Sequence, residues 1–207
     1  MLEIIFMNYK YYFVSLFIAS VSLSILSCET KKHSNTTAFT RVDSLTEVYL
    51  SLQDSVLNAW NVMIKDDNQK ITTMIGLMHE LKVSGQFSLE ELQSLEQRVE
   101  QLKRIRYTPQ TMHNVDVIEE YDFASSSLVT ELIAMAESHT AFSYNKILQN
   151  QVEGIRAADL RVENFRMEYD AITLTYNSFI ETHLELLKEI ADTETLDKKP
   201  LFQIVSE

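Results

Sequence analysis

The chain predicts an all-α fold: an elongated antiparallel four-helix bundle with two long and two short helices. Two observations carry this expectation. Only three glycines and two prolines occur in 207 residues, too few turn formers for a sheet-rich or loop-rich fold. Apolar residues also recur at alternating steps of three and four over long stretches, the period of helices packed along a shared seam.

The N-terminus reads as a targeting segment. Tyr11–Leu26 is apolar apart from small serines and carries no charge, and Lys10 precedes it. A positive start, an apolar stretch and small residues at the cut site define a signal peptide. Glu3 interrupts the positive start, and initiation at Met7 would remove it. Ile25-Leu26-Ser27-Cys28 is similar to a bacterial lipobox, with Leu26 bulkier than the small residue usual there. Its cysteine is the sole one in the chain, so no internal disulfide can form. We expect residues 1–27 to be a signal peptide and Cys28 to carry lipid. An uncleaved anchor is the alternative, although the apolar stretch is shorter than the roughly 20 residues a spanning helix prefers. Either reading places the rest in the cell envelope, facing the periplasm or exterior. Residues 28–41 are polar and read as a lipidated flexible tether, leaving 42–207 as the bundle domain.

The net charge of −12 survives removal of residues 1–27, which hold only Lys10 and Glu3. That acidity argues against nucleic acid, whose phosphates demand a basic face. It also disfavours electrostatic adhesion to anionic lipids, so membrane attachment falls to lipid on Cys28.

The first helix is expected over Val42–Val83, with a seam of Leu45, Tyr49, Leu52, Val56, Ala59 and Met63. A polar run, Lys65-Asp66-Asp67-Asn68-Gln69-Lys70, interrupts it. The seam resumes at Ile71, Met74, Met78 and Leu81, one residue late for the heptad, which predicts a local change of winding. That turn faces solvent, a partner, or a polar contact inside the bundle. Asp66, Asp67 and Gln69 are the candidate partner-contact residues. Ser84-Gly85 supplies the stop, with glycine suited to a left-handed cap.

Ser88-Leu89-Glu90-Glu91 is a capping box that starts the second helix. Leu92, Leu95, Val99 and Leu102 form its stripe, and Lys103, Arg104 and Arg106 offset the dipole at its end. Pro109 prevents continuation. After a loop over 107–116, Asp116, Glu119 and Glu120 open a third helix whose core face is Leu128, Leu132, Met135 and Ala136. Its end falls within Ser138–Ser143. The fourth helix is expected over Ser143–Ala191, roughly 70 Å at 1.5 Å per residue. Its seam is Ile155, Ala158, Val162, Phe165, Tyr169, Ile172, Tyr176, Phe179, His183, Leu186 and Ile190, without a slip.

Catalytic and metal-binding patterns are missing from the sequence. No histidine has a glutamate three residues before it, as a di-iron bundle requires. His79-Glu80 opens an HExxH pattern that Val83 fails to complete. No nucleophile elbow or glycine-rich phosphate loop occurs. The sequence therefore assigns no catalytic residue, metal or cofactor, and His183 reads as a packing histidine.

The stretch Arg161-Val-Glu-Asn-Phe-Arg166-Met-Glu-Tyr169-Asp170-Ala-Ile-Thr-Leu-Thr-Tyr176-Asn177 resembles the LemA family of bacterial membrane-anchored helical proteins. The family pattern has Arg, a second Arg five later, Tyr-Asn three later, and another Tyr-Asn after seven. Asp170 replaces the first asparagine here. Val56-Leu-Asn-Ala-Trp60-Asn-Val with Gly76-Leu77-Met78 resembles the family's earlier motif, though its Asp-Leu-Ile-Pro run is replaced. Lys199-Pro200-Leu201-Phe202 resembles its closing Lys-Pro-x-Phe segment, although the Phe-Pro-Gly motif before it is missing. Without the resemblance, Arg161 and Arg166 read as surface cations and Asn177 as a solvated residue. The resemblance implies a helical bundle projecting from a membrane, without established enzymatic activity. Family genes often neighbour membrane metalloproteases. We therefore expect a non-enzymatic envelope lipoprotein, an interaction or spacer module for other envelope proteins. Service as accessory or regulator of a membrane protease is the alternative, and a hydrolase with a scattered site is more remote.

Overall fold

The computed structural model of the chain describes residues 41–190 and 196–202. The proposed signal peptide, Cys28 and nearly all of the tether lie outside the described residues. Four helices are present, with no strand among the described residues: α1 (Arg41–Ser84), α2 (Leu89–Ile105), α3 (Val115–Glu137) and α4 (Lys146–Ile190). They contain 44, 17, 23 and 45 residues.

The helix ends follow local chemistry. Gly85 closes α1 at φ 68°, a left-handed conformation that glycine adopts without a Cβ clash. The capping box forms: Glu91 N–H donates to Ser88 Oγ at 3.1 Å, and Ser88 N–H donates to Glu91 Oε2 at 3.3 Å. α3 has Asp116 in its first turn as expected, and Asn114 caps it, with Asp116 N–H donating to Asn114 Oδ1 at 3.1 Å. Asn145 caps α4 in the same way, accepting from Ile147 and Leu148 N–H at 3.0 and 3.2 Å. That cap puts the start of α4 three residues beyond Ser143. Gln86 ties the two loops at this end together, donating to Ser138 O and accepting from Thr140 N–H.

The two long helices pack chiefly on each other, while α2 and α3 pair together against α1. Tyr49 meets Tyr176, Trp60 meets Tyr169, Asp66 meets Arg161, and Thr73 lies beside Gly154. One number rises as the other falls, so α1 and α4 run in opposite directions. Met74, Leu77, Leu81, Leu92, Leu95, Leu102, Leu128, Leu132 and Leu148 are almost completely buried.

Two expectations about the seams need correction. Ile71, Met74, Met78 and Leu81 are all buried as expected, but the stripe of α1 is wider than that set and needs no skip after Met63. It continues through Asp67 and Lys70 to Met74, Leu77 and Leu81, with Lys70 only 3% exposed. The helix keeps its register and places polar residues on its inner face. On α4, Ile155, Ala158, Tyr169 and Tyr176 are buried as expected, but Thr173, Ile180 and Leu187 share that face. Phe165, Ile172, Phe179 and Leu186 lie on its flank, partly buried. The helix is also kinked at His183, where φ is −119° and ψ 17°. The His183 ring packs 4.6 Å from that of Phe179.

Candidate functional site

The polar inner face of α1 meets charged or hydroxyl-bearing residues from every other helix or its end. Lys70 Nζ donates to Ser125 Oγ at 3.0 Å and to Asp159 Oδ1 at 3.4 Å. It also lies 3.7 Å from Asp67 Oδ1. Asp67 accepts a 2.6 Å hydrogen bond from the Tyr121 hydroxyl. Arg106, just past α2, sets Nε 3.0 Å from the same carboxylate, at an angle that makes it an ion pair rather than a hydrogen bond. Its Nη1 donates to Asn68 Oδ1 at 2.8 Å.

From α4, Arg161 grips Asp66, with Nη2 at 2.6 Å and Nε at 3.2 Å from Oδ1. Arg166 makes a two-pronged pair with Asp122, both bonds 2.7 Å long, and donates to the Tyr107 hydroxyl at 3.2 Å. Paired parallel bonds of this kind give direction as well as attraction. A cavity of about 340 Å³ lies among these groups, walled by Asp67, Lys70, Tyr107, Tyr121, Asp159 and Arg166 among others.

Burial raises the Tyr121 phenol far above its ordinary 10.0, and the Asp67 charge and hydrogen bond add to the effect. Burial raises Tyr107 as well, against the opposing pull of Arg166. Burial works against the Arg166 charge, but Asp122 and Tyr107 overcome it, so its affinity for the proton rises. The cavity therefore has neutral phenols and a fixed guanidinium on its walls at any ordinary pH.

An aromatic enclosure adjoins the cavity. Phe202, from the extended segment 196–202, stacks on Trp60 at 6.5 Å with planes 8° apart. Tyr107 and Tyr169 present edges to it at 5.3 and 5.6 Å, the edge-to-face geometry that ring quadrupoles favour. The Arg166 guanidinium carbon sits 4.8 Å from the Phe202 ring centre, a cation–π contact. The backbone of this segment is held by two side chains of α4. Asn177 Oδ1 accepts from Lys199 N–H at 2.8 Å, and its Nδ2 donates to Lys199 O at 2.9 Å. Asp170 Oδ1 accepts from Phe202 N–H at 2.9 Å.

The residues singled out by the family pattern thus converge. Trp60, Arg166, Tyr169, Asp170 and Asn177 all touch the segment 196–202, and Tyr176 lies under Lys199, whose Nζ is 6.0 Å from its ring. Arg161 stands apart from these, in the polar layer with Asp66. Neither arginine is a free surface cation, and Asn177 is engaged rather than merely solvated. Of the candidate partner-contact residues, Asp66 and Asp67 are partly buried and paired inside the fold, and Gln69 is exposed. Arg106 does more than offset a dipole, since its side chain is 15% exposed and faces Asp67.

Lys70, Tyr107, Tyr121, Asp122, Ser125 and Asp159 are site residues that the sequence reading missed. Lys70 was detectable: counting seven from Met63 lands on it, and a lysine on a seam needs a buried partner. The others come from different helices and carry no spacing signal.

No group of three or more His, Cys, Asp or Glu side chains is arranged to hold a metal among the described residues. No helix among them is long and apolar enough to cross a membrane. Comparison with known protein families, with curated proteins and with solved structures finds no match.

Proposed function

We propose that this chain is a non-enzymatic interaction or spacer module of the cell envelope. In this reading it is an elongated antiparallel four-helix bundle of LemA-like character, lipid-anchored through Cys28 and facing the periplasm or exterior. One observation carries the non-enzymatic part. The cations lining the cavity are engaged by carboxylates of neighbouring helices, Lys70 with Asp159 and Arg166 with Asp122, and Arg106 and Arg161 close by pair with Asp67 and Asp66. Groups so neutralised set helix register rather than standing ready to move protons. The apolar run ending at Cys28 supports the anchor.

Cross-linking in intact cells, followed by identification of what is captured, tests the reading. Capture of envelope proteins is the expected result, and recovery of a membrane protease among them would narrow the role to protease accessory. Capture of cytoplasmic proteins alone would overturn the proposal. Mass spectrometry of the mature N-terminus tests the anchor, which an unmodified Cys28 within an intact N-terminus would refute.

A further inference from the structure

The geometry points to a peptide-recognition groove on α4 and α1 that the chain's own residues 196–202 occupy, and that takes an extended Lys-Pro-x-Phe-like segment of a partner protein in their place. This rests on the interaction-module reading and names where the partner binds.

Three features make the site a recognition groove rather than ordinary packing. The first is how the backbone is read. Asn177 bonds both the N–H and the C=O of one residue, Lys199, and Asp170 takes the N–H three residues on. These are contacts to main chain, so they accept many sequences, as when an extended peptide pairs with main-chain partners on its receptor. The second is the aromatic enclosure. Trp60, Tyr107, Tyr169 and Arg166 surround the partly buried ring of Phe202, and enclosed aromatic anchors carry much of the energy in a typical interface. The third is charge. Lys198 pairs with Glu181, and Lys199 lies over Tyr176, so the groove prefers basic residues before the anchor. The chain as a whole is acidic, at −12, which steers a basic segment toward it.

The present occupant is also replaceable. None of residues 196–202 is fully buried, and Asp197, Lys198 and Lys199 are exposed. The segment belongs to no helix. A partner segment offering the same backbone and ring makes equal contacts, and must compete only against the high effective concentration of the tethered one.

Trp60 is the sole tryptophan and stacks on Phe202, so its fluorescence reads occupancy directly. The test uses purified full-length protein in detergent, as wild type and as Phe202→Ala, with a synthetic peptide of residues 196–202. Phe202→Ala should shift the Trp60 emission, and the peptide should restore it. Wild type should need at least tenfold more peptide for displacement, read with a quencher-labelled copy. A peptide with alanine in place of its phenylalanine should do neither. If Phe202→Ala loses its helical circular dichroism, Phe202→Leu, which keeps apolar bulk without the ring, replaces it. Failure of the peptide to restore emission in a folded variant overturns the groove, as does equal restoration by the alanine peptide. Because this measurement needs no cell or membrane, its failure is separate from failure of the envelope reading. Partners captured in cells equally by wild type and Phe202→Ala would reject the groove alone.

Discussion

Two neighbouring stretches of the α1–α4 pair are built on opposite principles. Around Met74–Leu81, the interior is aliphatic: Leu77, Leu81, Leu92, Leu95, Leu128 and Leu132 are each at most 1% exposed. Around Asp66–Lys70, the same face of α1 buries a lysine and partly buries two aspartates. Aliphatic packing is non-directional and tolerates sliding or rotation at modest cost. Charged pairs with hydrogen-bond geometry do not, because a shift of one residue strands a buried charge. The aliphatic stretch thus provides stability and the polar stretch fixes how α1, α3 and α4 align. Only where they are so aligned do Trp60, Tyr107 and Tyr169 meet around one ring.

The contrast can be broken from either side. Leu77→Ala or Leu132→Ala should cause the largest loss, about 2–5 kcal/mol, because each removes a fully enclosed side chain. Chemical denaturation measures it, and a cost below about 1 kcal/mol would show that the aliphatic stretch is not the stabilising one. Asp67→Ala should cost about 1–3 kcal/mol, since it strands the Tyr121 hydroxyl and the Arg106 guanidinium together. A partner-facing Asp67 would instead cost under roughly half a kcal/mol, so one melt separates the two roles.

Arg166→Ala and Asp122→Ala should each destabilise by a similar or smaller amount and couple by about 0.5–3 kcal/mol in a double-mutant cycle. Additive losses would mean that the pair does not act as a unit. The polar stretch should also respond to alkali. Tyr107, Tyr121 and Tyr169 are all raised above 10.0, by burial first. Near pH 10 the unfolded chain therefore releases phenolic protons that the folded chain retains. Their contribution is complete below that pH and is lost as pH rises through each folded-state pKa, with a limiting slope of about 1.4 kcal/mol per pH unit for one tyrosine. Tyr121→Phe should flatten the decline, and an unchanged slope would refute burial of that phenol. The smallest effect belongs to Glu163→Gln, exposed at the cavity rim, at under roughly half a kcal/mol.

Phe165 illustrates the limit of pattern reading. It stands on the expected seam, yet it lies partly buried at the cavity wall. Phe165→Asp should therefore destabilise less than the same change at Leu77. Steps of three and four locate a stripe about one helix face wide. They do not say which of two adjacent residues points inward, because 158 and 159, or 165 and 166, differ by only 100°. At the second pair, Phe165 and Arg166 are both partly buried, whereas hydropathy alone would bury the phenylalanine and expose the arginine.

The sequence by itself determined the helices, their order and most of their ends. Scarce glycine and proline, the 3–4 period, the Ser88 box and Gly85 are local signals that act within a few residues. The resemblance read in the sequence grouped Trp60, Arg161, Arg166, Tyr169, Asp170, Tyr176 and Asn177, with Phe202 in its closing segment. What they do together was decided only by tertiary structure. The antiparallel pairing brings Trp60 and Tyr169, 109 positions apart in the chain, to a ring separation of 5.7 Å. Likewise, a run of six polar residues reads locally as a solvated face. Whether Asp67 and Lys70 are solvated or buried depends on Tyr121, Ser125 and Asp159 arriving from other helices to satisfy them, and no spacing within α1 encodes that arrival.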